Sequence, residues 1–225
     1  PAVLKCVLGI WQYKRVGVAL EDGMQVKVSG IAKITKAYGS FSLWIDSIEP
    51  IGEGSLKKAY ELLLKQFTSE GLFTRKRPLP EFVERIAVVS SRDGVVIHDL
   101  RKNLRPLGIS IDFYHSQVEG ASAADDLVGV LAQISKTERS DRSGYDVLVV
   151  IRGGGSFESL QAFNNEAVCR ALYASPIPVV VGIGHDVDVP IACLIADASG
   201  STPTQVAHII NDTWRPLFEG LPTLE

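Results

Sequence analysis

Tyr145-Asp146-Val147-Leu148-Val149-Val150-Ile151-Arg152-Gly153-Gly154-Gly155-Ser156, YDVLVVIRGGGS, runs from five consecutive aliphatic residues through one arginine into three glycines. An uninterrupted aliphatic run bounded by turn residues suits a strand buried on both faces. Such a strand belongs to a parallel sheet covered by helices. Three neighbouring stretches read the same way: RIAVVSS (residues 85–91), ISIDFYHSQV (109–118) and IPVVVGIGH (177–185). Helical patterns alternate with them near residues 93–104, 121–136, 157–174 and 187–198. The fold class expected is therefore α/β, a Rossmann-like parallel sheet with helices on both faces, over residues 83–212.

Residues 1–51 follow a different pattern. VLKCVLGIW, QVKVSGIAKI and SFSLWIDSIEPI place β-branched and aromatic residues at alternating positions, with turn signals at Asp22-Gly23 and Tyr38-Gly39. Three antiparallel strands without visible closure leave edges open, which suits a dimer formed through exposed strands. Leu56, Ala59, Tyr60, Leu63, Leu64 and Phe67 then recur at helical spacing after a capping Ser55, and Gly71 ends the run. With TRKRPLPEF (residues 74–82) as an exposed basic connector, residues 52–82 form a link between two modules. Residues 213–225 read as a truncated extension, and Pro1 and the closing Leu224-Glu225 as cut ends.

At 225 residues, 46% hydrophobic and 22% charged, the chain is globular, and no stretch reaches the roughly 20 apolar residues of a membrane span. Its three cysteines, Cys6, Cys169 and Cys193, are too few and too widely spaced for a disulfide framework or a paired-ligand zinc site. A cytoplasmic protein without a membrane partner is the expectation. The net charge of −3 hides an asymmetry: residues 1–85 carry 13 basic against 9 acidic side chains, and residues 86–225 carry 10 against 17. A path for nucleic acid would thus be local, with the first third as its flank.

Ligands of open parallel sheets gather at the carboxyl ends of the strands, where backbone N–H groups and helix N-termini converge. That rule brings Ser90 and Ser91, Arg152, Gly153, Gly154, Gly155 and Ser156, and Gly184, His185 and Asp188 to one rim. Three glycines entering a helix suit an anion-binding nest, and Arg152 adds a cationic fork matched to phosphate. GGGSFE satisfies neither the dinucleotide fingerprint nor the P-loop. His185 and Asp188, three apart, form an acid–base candidate.

In order and spacing, GEGSLKKAYELLLKQFTSEGLF, IAVVSSRDGVVIHDL, RGGGSFESLQAFNNE, SPIPVVVGIGHDVDVPIACLIAD and STPT resemble the large subunit of bacterial exonuclease VII from Gly52 to about Asn211. The strand-rich start is similar to the later part of that family's N-terminal OB-fold. Asp186 and Val187, Ser159 and Gln161, and Ile151 depart from the residues usual in the family. The resemblance implies catalytic roles for Asp99, Arg152, His185 and Asp188. It also implies hydrolysis of single-stranded DNA from either end to oligonucleotides, with no strict metal requirement although Mg²⁺ is compatible. The small subunit is the implied partner, bound through a helical region beyond this chain.

The residues give that activity a physical logic. Arg152 and the N–H groups of residues 153–156 would stabilise charge developing on a phosphodiester, His185 would move the proton with Asp188 orienting it, and Asp99 would position water or support Arg152. Two other readings use the same residues: a non-catalytic single-strand-binding module, stacking bases on Trp11, Tyr13, Tyr38, Phe41 and Trp44 near Lys14, Arg15, Lys33 and Lys36, or an α/β enzyme processing a nucleotide or phosphosugar.

Overall fold

The computed structural model of the chain describes residues 3–10, 13, 20–35, 39–92, 95–120, 122–140, 144–154, 157–184 and 189–219. The chain divides into two compact units, residues 1–66 and 67–225. No described helix is long and apolar enough to cross a membrane.

In the first unit, strand β2 (Val26–Thr35) pairs antiparallel with β3 (Ser40–Pro50). A short β1 (Cys6–Val7) joins β3 in parallel, so this small sheet is mixed. The ladder shifts register between Ser29 and Gly30. Gly30 has a steric reason, since a Cβ there would lie 2.0 Å from the carbonyl oxygen of Trp44. Only glycine lets the two backbones approach so closely.

Helix α1 (Glu53–Ser69) follows. Ser55 sits inside its first turn instead of capping it, and its hydroxyl accepts a hydrogen bond from the Gln25 N–H at 2.7 Å. The C-terminus closes as the sequence predicts: Gly71 takes φ +71°, and the Leu72 N–H bonds back to the Phe67 carbonyl at 3.0 Å. That six-residue return, with glycine in the left-handed region, is a Schellman closure.

The second unit is built on a five-stranded, all-parallel sheet in the order β5-β4-β6-β7-β8, comprising β4 (Arg85–Ser90), β5 (Ser110–His115), β6 (Val147–Ile151), β7 (Val179–Gly182) and β8 (Ala198–Gly200). Helices α2 (Val95–Asn103), α3 (Ala123–Ser140), α4 (Glu166–Tyr173), α5 (Ile191–Ile195), α6 (Pro203–Asp212) and the short α7 (Arg215–Glu219) complete it. Leu100 of α2 and Val206, Ala207 and Ile210 of α6 form one buried cluster with Ile86, Val88, Val147, Val149, Ile151 and Val180. The alternate residues Ala87, Val89, Leu148, Val150, Val179 and Val181 are buried too. With a period of two, burial of both sets means both faces of the sheet are covered.

Besides the parallel pairing of β1, where the sequence pattern suggests antiparallel strands, and the place of Ser55, three features of the second unit differ from the sequence-based expectation. Residues 157–174 split into a 3-10 segment (Phe157–Asn164) and α4, because Asn165 caps α4 by accepting from the N–H groups of Ala167 and Val168. Ala198–Gly200 is a fifth strand, although Ala-Ser-Gly carries little β propensity. Its pairing with β7 is a backbone matter, and Gly182 of that pair lies so close to α6 that a Cβ would meet Val206 Cγ2 at 2.4 Å.

The third difference is the basic connector, whose cations are committed to the second unit. Arg75 donates to the Tyr173 carbonyl and lies 3.9 Å from that ring's centroid, while Lys76 donates to the Leu194 and Ala196 carbonyls. Arg77 grips Asp197 through Nε, Nη2 and its backbone N–H, and reaches the Ser175 carbonyl at 2.8 Å. These carbonyls close α4 and α5, where cations meet the negative end of the helix dipole. The Asp197 side chain is only 3% exposed. Burial alone would raise its carboxyl, yet hydrogen bonds from the Arg77 side chain and from the Arg77 and Val179 N–H groups hold it below its ordinary value.

Breaking one side of such a buried pair costs about 3 kcal/mol, so Asp197→Asn is expected to lower the unfolding free energy at pH 7 by about that amount. A carboxyl depressed on folding contributes stability that is present above its unfolded pKa of about 4 and is lost as pH falls through the lower folded value. Urea unfolding at pH 7 and pH 3 therefore separates wild type from variant more at pH 7 than at pH 3.

Candidate functional site

In the order β5-β4-β6-β7-β8, the chain leaves β4 toward one edge and leaves β6 toward the other. The reversal opens a crevice outside the carboxyl ends of β4 and β6, which is where ligands of such sheets bind. Both strands are adjacent, with Val89 opposite Val150. Ser90 follows that pair on one strand, and Arg152 follows it by two residues on the other. Two of the sequence-chosen residues thus flank the switch point.

Arg152 extends β6 by donating its backbone N–H to the Gly182 carbonyl at 3.0 Å. Its side chain is 7% exposed and its Nη2 donates to Glu119 Oε2 at 2.9 Å. Among the described residues, its Nη1 is buried without a hydrogen-bond partner, and so is the hydroxyl of Ser90, a residue 1% exposed. Unpaired buried donors cost free energy, and an open guanidinium edge suits an anionic oxygen, whereas strand alternation sets the Ser90 side chain on the opposite face of the sheet from Arg152. Ser91 is half-buried next to them.

The glycines divide by role. Gly153 and Gly154 are not among the described glycines of positive φ, whereas Gly184, after β7, takes φ +95°. At Gly153 a Cβ would come 3.4 Å from Val96 Cγ2 in the first turn of α2, an ordinary packing contact that brings α2 against this turn. Asp99 lies three residues beyond Val96, on the same side of that helix. Its carboxylate makes no ion pair with Arg152 among the described residues, and its backbone carbonyl accepts from Asn103 Nδ2 at 2.8 Å. Gly155, Ser156, His185 and Asp188 lie outside the described residues.

Glu119 is the site residue that the sequence reading passed over. It stands in the turn after β5, on the same rim, so the strand-end rule that selected the other turns was sufficient to find it. The turn is pinned from below. The Ser116 N–H bonds to the Ser90 carbonyl at 3.0 Å, Asp126 Oδ2 accepts from Ser116 Oγ and the Gln117 N–H, and Val118 is buried. Gly120 then turns at φ +89° toward α3, leaving the Glu119 side chain 65% exposed.

Other chemistries are less well supplied. Cys169 and Cys193 are free and buried, and burial pushes the Cys193 thiol up to about 12 and that of Cys169 higher still. Neither offers a thiolate near neutral pH. Among the described residues no group of three His, Cys, Asp or Glu side chains is placed to hold a metal ion. On the first unit Tyr13, Phe41 and Trp44 are exposed, with Lys33 Nζ 4.1 Å from the Trp44 ring centroid. Trp11, Lys14, Arg15, Lys36 and Tyr38 fall outside the described residues.

The family model described as "Exonuclease VII, large subunit" matches residues 73–224. The chain is 38% identical over 212 residues to the exodeoxyribonuclease 7 large subunits of Streptococcus pneumoniae strains D39 and R6, and likewise to that of strain Hungary19A-6. Each comparison covers 92% of this chain and 46% of the relative. The chain therefore spans about half the length of the curated relatives it matches.

The unpaired Ser90 hydroxyl makes a prediction about stability. Ser90→Ala removes a buried donor with no partner, so the fold is expected to be unchanged or more stable by about 1 kcal/mol, where loss of a satisfied hydroxyl would destabilise by a similar amount. Thermal unfolding of the two proteins reads the sign.

Proposed function

Because the chain belongs to the exonuclease VII large-subunit family, we propose that it carries the central part of an exodeoxyribonuclease that hydrolyses phosphodiester bonds of single-stranded DNA. The observation behind this reading is the buried guanidinium of Arg152 at the sheet's switch point, whose Nη1 has no hydrogen-bond partner among the described residues. As the bond breaks, negative charge grows on the non-bridging oxygens of the phosphate. A buried guanidinium already in place stabilises that charge more than water does, because it needs no reorganisation when the charge appears. The N–H groups of residues 153–156 add to the same field.

His185 acts as the proton-transfer group and Asp188 orients it, while Asp99, on α2 beyond the Gly153 contact, positions the attacking water. The chemistry needs no metal to supply the charge that Arg152 supplies, and Mg²⁺ is an accessory at most. The exposed rings of Phe41 and Trp44 in the first unit, with Lys33 beside Trp44, suit stacking of single-stranded bases. The small subunit of the enzyme joins through parts of the large subunit beyond this chain, and the assembly works in the cytoplasm. Exposed strands of the first unit offer a route to a dimer of this piece.

The test uses the full-length large subunit with its small subunit on single strands labelled at the 5′ or the 3′ end, with and without chelator. Arg152→Gln and His185→Ala are each expected to slow turnover by about 100-fold or more, as removal of one charge-stabilising or proton-transferring group does. Degradation from both ends should survive chelation. Unchanged turnover in both variants would remove the site assignment, and binding without cleavage by the wild-type assembly would leave a single-strand-binding module.

A further inference from the structure

We infer that Glu119 is a displaceable occupant of the phosphate seat on Arg152, so that substrate binds by exchanging a phosphate oxygen for the Glu119 carboxylate. This rests on the reading of Arg152 as the phosphate contact. The asymmetry of the pair carries the argument: Arg152 is 7% exposed and Glu119 is 65% exposed, so the carboxylate approaches the guanidinium from the solvent side. A ligand arriving from solvent meets Glu119 first.

The pair is also incomplete as a structural salt bridge. A guanidinium held for stability is normally engaged by several acceptors, yet here one oxygen meets one nitrogen at 2.9 Å and, among the described residues, Nη1 is buried without a partner. A phosphate presents several oxygens at once and can take Nη2 from the carboxylate while satisfying Nη1. The exchange replaces one anion by another, so the buried cation is never left uncompensated. An exposed carboxylate bound through one contact is cheap to release, because water solvates it as it leaves.

The backbone around Glu119 gives the exchange a fixed pivot. Asp126 and the Ser90 carbonyl hold residues 116 and 117, and Val118 is buried. Displacement therefore involves rotation of one exposed side chain, with the turn staying in place. The consequence is a threshold: the seat stays neutral until a ligand offers an anion that outcompetes the carboxylate.

The 225-residue chain is titrated into fluorescein-labelled oligodeoxythymidylate at fixed salt, and affinity is read by anisotropy for wild type, Glu119→Gln, Glu119→Ala, Arg152→Gln and the Glu119→Gln, Arg152→Gln double variant. Removing the competing carboxylate is expected to tighten binding about fivefold in both Glu119 variants, and the gain should vanish when Arg152 is also replaced. Weaker or unchanged binding in the Glu119 variants, with Arg152→Gln also weakened, overturns the inference and leaves Arg152 as the phosphate contact. A gain that persists in the double variant also overturns it, since general loss of negative charge then explains the tightening. Wild-type affinity in Arg152→Gln removes the phosphate reading itself, and the inference with it. Should Arg152→Gln fail to fold, inorganic phosphate is titrated against the Arg152 side-chain ¹⁵N resonances of wild type and Glu119→Gln. Tighter saturation in Glu119→Gln supports the exchange, and equal saturation or no shift in either overturns it.

Discussion

Burial of β6 on both faces is the constraint from which the site follows. From Val147 to Ile151 every side chain is enclosed, so the strand offers no place for a charged group along its length. The first polar residue the chain can accommodate is the one at the carboxyl end, and there it is Arg152. The neighbouring β4 obeys the same rule and ends in Ser90. Two strands buried for packing reasons therefore bring their first polar residues to the same end of the sheet, one on each face. The strand order does the rest, since the chain departs in opposite directions from β4 and β6 and leaves the crevice at that end uncovered by a crossing connection.

Two arginines differ in how fully their donors are satisfied. At the amino ends of β7 and β8, Arg77 makes three side-chain contacts with Asp197 and a fourth with a carbonyl, while Asp197 also caps the Val179 N–H. Every strong group in that cluster has a partner. At the carboxyl ends, Arg152 is more deeply buried yet has one side-chain acceptor among the described residues. Both arginines answer burial with a carboxylate, but only one cluster is complete. Incomplete satisfaction of a buried cation is tolerated where a ligand supplies the missing acceptors.

Legibility in the sequence followed how local each determinant was. The aliphatic runs of β4, β6 and β7 declare themselves because burial on both faces dictates composition, and Gly71 declares the end of α1 because left-handed backbone favours glycine. β8 is silent, since three small residues join the sheet through backbone bonds to β7 alone. The helix α6 begins at Thr202 with a capping threonine, a proline in the first turn and Gln205 three residues on, a start signal that STPT carries and that the apolar periodicity upstream obscures. The basic connector misleads for a related reason. Its cations look solvated until the carbonyls of Tyr173, Ser175, Leu194 and Ala196 are brought alongside, and those lie about a hundred residues later in the chain.

The same distinction governs the site. Arg152 and Ser90 are legible as candidates because strand-end chemistry is local, while Asp99 becomes a candidate only through the resemblance. The glycines after Arg152 are legible as a group but not by cause: Gly153 is not among the glycines of positive φ, and a Cβ there would make only an ordinary contact with Val96. Glu119 was hidden because its role depends on Arg152, 33 residues away. A carboxylate in a polar turn has no signature until its cation is known to be buried and underbonded. The rim therefore has to be read as five turns considered together, since the acceptor that completes a donor on one strand is carried by another.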